Sequence, residues 1–263
     1  MKALKFKLSG KTAFFKKPDV NSYVYFTYGN IHKVALMGMF GAIVGYSGYN
    51  TLKLKQELEK KKRESRVILP EFYNRLKDIK ISIVPQSREG IFDKKIQTFN
   101  NSVGYASQEA GGNLIVKEQW LENPKWTIYL LLDNDESNKI ADYILNNKAV
   151  YIPYLGKNDH PAEILDAHII TLENCTDASS INSLFVKAMA EVVTTNELDD
   201  LFNAVLNEEE ITTDFKYEEK LPIRLNENTS LYELESFVYT NMQLNIDPSM
   251  EVFEDSGKNI VFY

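Results

Sequence analysis

Residues 32–50 read HKVALMGMFGAIVGYSGYN, and from Val34 to Tyr49 no residue is charged. The reading of this run decides the fold, because it is either a membrane segment or a helix packed unusually close to something else. A helical span needs about 20 apolar residues. This run has 16, and four are glycine, one serine and two tyrosine. It also starts too deep in the chain, behind an alternating stretch, to serve as a signal peptide. At about 100° per residue, Gly38, Gly41, Gly45 and Gly48 fall within about 80° of one another, with Leu36, Met37, Met39, Phe40, Ile43 and Val44 on the rest of the surface. A strip without side chains admits a second backbone. The helix is therefore predicted to lay its glycines directly on a sheet.

The flanking sequence supplies that sheet. ALKFKLSGK at 3–11 alternates, with Leu4, Phe6 and Leu8 on one face and Lys5, Lys7 and Ser9 on the other, which is a half-buried strand. LKLKQELEKKKRES reads as a polar, exposed helix. IKISIV brings Ile79, Ile81 and Ile83 together on a strand. Periodicity fades from Pro85 to Asn113 and resumes with strands in NLIVKEQWL and WTIYLLLD, where Trp126, Ile128, Leu130 and Leu132 share a face. Ser137 is predicted to cap a helix with Ile140, Ala141, Ile144 and Leu145 on its apolar stripe, and AVYIPYLGK to return as the last strand. This order, βαβ, an irregular insertion, then βαβ, predicts an α+β fold of ferredoxin-like type over residues 1–165. Beyond it lies a smaller, acidic α/β appendage at 166–263, with a helix in NELDDLFNAVLNEEE and strands elsewhere.

At 44% hydrophobic and 25% charged, the composition is that of a globular protein. One cysteine, Cys175, excludes a disulfide framework and a thiolate zinc cluster and points to a reducing, cytoplasmic setting. The net charge of -7 averages two unlike parts. Residues 1–120 hold 21 Lys+Arg against 10 Asp+Glu, and residues 121–263 hold 9 against 27. A basic half can neutralise phosphates while the acidic half avoids them or meets a basic partner. Lysine clusters such as KKKRES also have a simpler reading as solvated surface.

Several candidate sites fail on chemistry. DNDESN at 133–138 begins like a calcium loop, but Asn138 stands where glycine is needed and Ile144 where a bidentate Glu belongs. GYASQEAGG has neither a phosphate-loop ending nor a dinucleotide fingerprint, and reads as a hairpin tip with Gly104, Gly111 and Gly112. No cofactor or metal is expected. A projecting hairpin still has the chemistry for single-stranded RNA: Arg88, Lys94 and Lys95 for phosphates, Tyr105 for stacking, Asn100, Asn101 and Gln108 for hydrogen bonds. His32, close to Tyr28 and Lys33, is either a helix-start residue contacting backbone or phosphate, or the base of a metal-independent ribonuclease. His160 reads as a loop residue and His168 as structural.

FKLSGKTAFFKKP, HKVALMGMFGAIVG, NNSVGYASQEAGGNLIVKEQ and YLGKNDHPAEI together resemble the fifth CRISPR-associated protein family. This is the repeat-associated mysterious protein (RAMP) that forms the small Cascade subunit of type I systems, and the likeness is greatest to subtype I-B. It covers about residues 3–165 and continues loosely in EEKLPIRL and NIVFY. The resemblance implies a modified ferredoxin-like (RRM/RAMP) domain with a thumb hairpin inserted at 86–114. It also implies a subunit that grips the 5′ handle of the crRNA and caps the backbone of a ribonucleoprotein used in antiviral defence. Partners would be the backbone subunit, the large subunit and target DNA near the protospacer-adjacent motif, with no membrane. On this reading Lys16, Lys17, His32, Lys33, Arg88, Lys94 and Lys95 position handle phosphates, Tyr105 stacks, and Asn100 and Gln108 read base edges; GKND around Lys157 is either a further contact or a plain turn. A subtype I-C branch cleaves precursor crRNA with Tyr, Lys and His. Here the hairpin and following strand carry Lys117 but no histidine, so a non-catalytic binder is expected, with endoribonuclease as the alternative. A generic scaffold acting through its acidic region is a third reading.

Overall fold

The alternation of residues 3–9 forms β1 (Lys2–Ser9), followed by the short β2 (Thr12–Ala13) and by helices α1 (Lys33–Val44), α2 (Tyr49–Leu58) and α3 (Glu71–Leu76). Next come β3 (Ile81–Pro85), a hairpin of β4 (Lys94–Asn100) and β5 (Ile115–Glu122), then β6 (Lys125–Leu131), α4 (Asp135–Leu145) and β7 (Glu163–Thr171). The rest is mostly short strands: β8 (Glu173–Asn174), β9 (Phe185–Val186), β10 (Ala190–Val192), β11 (Lys216–Leu225), β12 (Tyr232–Thr240), β13 (Leu244–Ile246), β14 (Val252–Asp255) and β15 (Lys258–Val261). The structure, a computed structural model, describes residues 1–19, 23–58, 68–102, 104–105, 108–193 and 213–263. The helix expected in NELDDLFNAVLNEEE and most of the lysine-rich run at 59–67 lie outside the described residues.

The chain is a mixed α/β protein with antiparallel sheets and few helices. The central sheet has the order β3-β6-β1-β7, every neighbouring pair antiparallel. One face of it, with Leu4, Phe6, Leu8, Ile83, Trp126 and Ile128, packs against Met37, Phe40 and Ile43 of α1 and Ile140 and Ile144 of α4. The other face, with Ala3, Val84, Tyr129 and Leu131, is covered by Leu172, Phe253 and Ile260. Burying each such large side chain contributes roughly 1.5–3 kcal/mol. Leu184, Leu221, Leu225 and Phe237 join the helix-side core, so the C-terminal part shares that core. Residue 165 falls within β7. Among the described residues, no helix is long and apolar enough to cross a membrane.

The glycine strip does not lie on the sheet. The bulky face of α1 packs there instead, with Phe40 meeting Phe6 edge-on at 6.2 Å. The reason is volume: a bare strip against the sheet would leave the gap unfilled while exposing Leu36, Phe40 and Ile43 to water. Gly41 serves a close approach to α3, since a Cβ there would stand 2.5 Å from Phe72 Cβ, and Gly45 another, to Val150 Cγ2 at 2.9 Å. Gly45, at φ 86°, ends α1 in the left-handed conformation. A Cβ at Gly38 or Gly48 would meet nothing within 4 Å.

Two further expectations shift. Ser137 is the third residue of α4; Asn134 caps the helix, accepting from Ser137 N, and Ser137 returns a bond to the cap. The last strand of the sheet is not AVYIPYLGK but Glu163–Thr171. In AVYIPYLGK the amides of Val150 and Tyr151 donate to Ile43 and Ala42 carbonyls at the end of α1, at 2.9 and 3.2 Å. Ala42 O also accepts from the Gly45 amide at 3.3 Å, and the loop adds donors to both carbonyls at the helix end.

Candidate nucleic-acid interface

The β4–β5 hairpin extends a small antiparallel sheet of order β2-β5-β4. Because residues alternate between faces, Gln97 and Phe99 of β4 and Val116, Glu118 and Trp120 of β5 line one side. Tyr25 docks alongside, its amide donating to Lys117 O and its carbonyl accepting from Gln119 N, both at 2.9 Å. Together with Lys157 and Asp159 these residues enclose a cleft of about 630 Å³.

The floor of the cleft is a tightly paired cluster. Glu118 is only 5% exposed, yet its carboxylate accepts from Lys157 Nζ at 3.0 and 3.1 Å and from Trp120 Nε1 at 2.9 Å. Lys157 also pairs with Asp159 at 3.4 Å and lies 5.4 Å from the Phe99 ring centroid. His160 stands behind, with Nδ1 2.6 Å from Thr12 Oγ1 and its ring edge-on to Trp120 at 4.5 Å. Its Nε2 is buried without a partner among the described residues, and burial, the largest effect, lowers its pKa. A left-handed glycine makes the cluster possible: at Gly156 (φ +89°) a Cβ would stand 1.9 Å from Phe14 O. Any larger residue would lift the Lys157 loop away.

A second groove, about 1080 Å³, runs along the exposed glycine strip of α1 and shares Glu118 and Lys157 with the cleft. Ala35, Gly38 and Ala42 contribute small residues to it, and Tyr46, Tyr49, Tyr151, Tyr154 and Tyr232 contribute rings. His32 lines it from the start of α1. There its Nδ1 accepts from Ala35 N at 3.2 Å, and its ring sits among Phe15, Tyr28 and Tyr232 at 6.0, 5.2 and 5.6 Å. Burial pushes the His32 pKa down to about 3, so the imidazole is neutral at physiological pH.

The residues predicted from sequence are dispersed among distinct settings. Lys16 lines the α1 groove with its Nζ 3.7 Å from the Tyr25 ring centroid. Lys17 is tied to Glu219 at 2.9 Å. Burial lowers the Lys33 ammonium to about 8, with Asp78 opposing that shift. Arg88 pairs with Glu89 at 3.3 Å, and Lys95 with Glu122 at 3.3 Å. Lys94 has no ion-pair partner among the described residues. Asn100 and Tyr105 lie towards the hairpin tip: Asn100 Oδ1 accepts from Ser102 N at 2.9 Å, and Tyr105 is 80% exposed. Gln108 N donates to Tyr105 O at 3.4 Å.

Much of the charge contrast between the two parts of the chain is consumed in internal pairs. Lys5–Asp255, Lys7–Asp166, Lys77–Glu227 and Lys80–Asp133 all join the basic part to the acidic one. The residues that sequence reasoning missed are Tyr25, Phe99, Glu118 and Trp120. The aromatic and polar alternation of β4 and β5 was a signal for three of them.

No protein-family profile matches the chain, and no curated protein matches its sequence. Among solved structures, it is similar to the crystal structure of a CRISPR protein from Archaeoglobus fulgidus, at 8% identity and TM-score 0.49, over 100% of this chain and 98% of that one. It is also similar to a chain of a CRISPR RNA-guided surveillance complex, at 12% identity and TM-score 0.44, over 93% and 91%. A third similar chain comes from a type III-B Cmr-beta complex bound to cognate target RNA and AMPPnP, at 10% identity and TM-score 0.35, over 100% and 86%.

Proposed function

We propose that this chain is a non-catalytic RNA-binding subunit of a type I-B CRISPR Cascade complex, which holds the 5′ handle of the crRNA and caps the backbone. The observation that carries the reading is the cleft beneath the β4–β5 hairpin. Aromatic rings of Tyr25, Phe99 and Trp120 stand there with amides of Gln97 and Asn101 and the Lys157 ammonium, the combination that stacks and hydrogen-bonds unpaired bases. Lys16 sits over the Tyr25 ring at 3.7 Å, and Tyr105 is exposed towards the hairpin tip. The sequence blocks quoted above agree with this role. In this proposal the β3-β6-β1-β7 sheet with α1 and α4 is the ferredoxin-like RAMP domain, covering residues 1–165 and the remainder of β7, the hairpin is its thumb, and the residues after β7 are the appendage. The backbone and large subunits, and target DNA beside the protospacer-adjacent motif, are the partners.

Catalysis is left out because His32 suits it poorly. A general base works best with a pKa near the operating pH, and its Nδ1 is already engaged by the α1 backbone. The test has two parts. Purified protein is titrated with a synthetic crRNA 5′ handle at several salt concentrations, and affinity is expected to fall steeply with salt. The same RNA is then incubated without metal; defined cleavage, abolished by His32→Ala, would favour the ribonuclease instead. Binding that is weak and indifferent to salt would refute the proposal.

A further inference from the structure

The α1 groove is long, rich in tyrosine and nearly bare along its floor, and it joins the hairpin cleft at Glu118 and Lys157. A small-residue strip alone says nothing about an occupant. His32 does. Its Nδ1 accepts a backbone N–H, so the neutral ring must carry its proton on Nε2. The residue is 4% exposed and lines the groove, and Nε2 finds no acceptor among the described residues. It is also not one of the polar atoms sealed without a partner among the described residues, which are Ser82 Oγ, Ser87 Oγ and His160 Nε2. A fixed, uncharged donor therefore faces the groove, where an acceptor on a ligand can take its bond.

We infer that the α1 groove is a second RNA subsite, in which the strand gripped under the hairpin continues past Lys157 and His32 Nε2 donates to an acceptor on a base, ribose or phosphate. This rests on the RNA-binding reading of the hairpin cleft. The volume of about 1080 Å³ exceeds what one drug-sized ligand fills. Tyr151 and Tyr154 offer faces for stacking, and the missing side chains at Gly38 and Gly48 let a sugar-phosphate backbone lie close to the helix. Lys16 and Lys157 line the groove at the end that meets the cleft, so that is where a phosphate enters, whereas Arg75 and Lys139, over the Tyr46 ring at 4.9 and 4.4 Å, are engaged by Glu136 and by Tyr46 Oη. Lys157 is largely neutralised by Glu118 and Asp159. Recognition further along therefore depends on stacking and on the His32 donor more than on charge.

The glycines provide the test. A Cβ added at residue 38 or 48 meets nothing within 4 Å. Gly38→Phe and Gly48→Phe are each purified with the wild type and with Phe99→Ala, a cleft variant, and thermal unfolding is followed to show that each is folded. Fluorescence anisotropy then measures binding of a labelled single-stranded crRNA 5′ handle. Loss of the stacked segment is expected to weaken binding about tenfold in either glycine variant while the melting temperature holds. If Phe99→Ala weakens binding and both folded glycine variants bind like wild type, the groove inference is overturned and the hairpin cleft stands. If wild type itself shows no salt-dependent binding, the functional reading fails as well. Glycine variants that bind RNA normally but no longer assemble with the other Cascade subunits would assign the groove to a protein and overturn the inference too.

Discussion

His32 sets a pH limit on the stability of this protein. Its pKa falls from an ordinary 6.5 to about 3 because the ring is buried among Phe15, Tyr28 and Tyr232. Between those values the unfolded chain binds a proton that the folded chain refuses. Stability is therefore fully present above pH 6.5 and is lost progressively as pH falls towards 3. At pH 5, about 1.5 units below the ordinary value, the loss from this one group is about 2 kcal/mol. The perturbation is His32→Asn, which keeps an acceptor for the Ala35 amide but cannot titrate. Losing the ring lowers stability at every pH, so the quantity to read is the change between pH 7 and pH 5. Urea unfolding followed by tryptophan fluorescence at the two pH values, in wild type and variant, gives it. His160 is still present in both proteins, and its contribution cancels. The wild type should lose about 2 kcal/mol more than the variant. Equal losses would show that His32 is not held neutral by burial, and the tautomer argument for its Nε2 would fall with it.

The glycines of α1 should separate into two kinds: Gly41→Ala drives a methyl into Phe72 and should cost about 1–3 kcal/mol, whereas Gly38→Ala should stabilise by about 0.5–1 kcal/mol, both measured by urea unfolding. Lys157→Met leaves the Glu118 carboxylate buried without its cation and should cost about 3 kcal/mol; adding Glu118→Gln should recover much of that loss in a double-mutant cycle. In RNA titrations, Phe99→Ala should weaken binding about tenfold without changing the salt dependence, and Lys94→Ala should reduce the salt slope by about one phosphate contact. An unchanged slope for Lys94→Ala would remove that residue from the interface.

The parts of the fold that were legible in the sequence were those where local pattern and tertiary role coincide. Trp126, Ile128 and Leu130 alternate and bury together, and Ile140, Ala141 and Ile144 form one helical stripe. The strand at 163–171 was illegible for a local reason. A bulge at Asp166, with φ 55°, shifts its register against β1 between Lys5 and Lys7. Ile164 and Ala167, which meet the helix-side core, come three apart instead of two, while Ile170 turns to the other face of the sheet, and no alternation survives to be seen. The glycine strip misled because spacing reveals that a face is bare but not which neighbour it turns to. The charge asymmetry misled similarly, since pairs such as Lys5–Asp255 join residues far apart in the chain. The cleft was half visible: the aromatic residues could be read, but the meeting of Glu118 with Lys157 depends on a loop turned by Gly156, and nothing local predicts that encounter.

The position of β1 in the middle of the central sheet also governs how the protein is made. Its neighbours, Lys125–Leu131 and Glu163–Thr171, emerge from the ribosome long after it does, and Lys5 waits for Asp255 near the end of synthesis. For most of translation an apolar strand with two unpaired edges is tethered to a growing nascent chain, and such non-local closure is slow. Newly made copies should therefore lean on chaperones that shield that first segment, and yields on overexpression should respond to slower translation or cooler growth more than to any change at the RNA-facing surface.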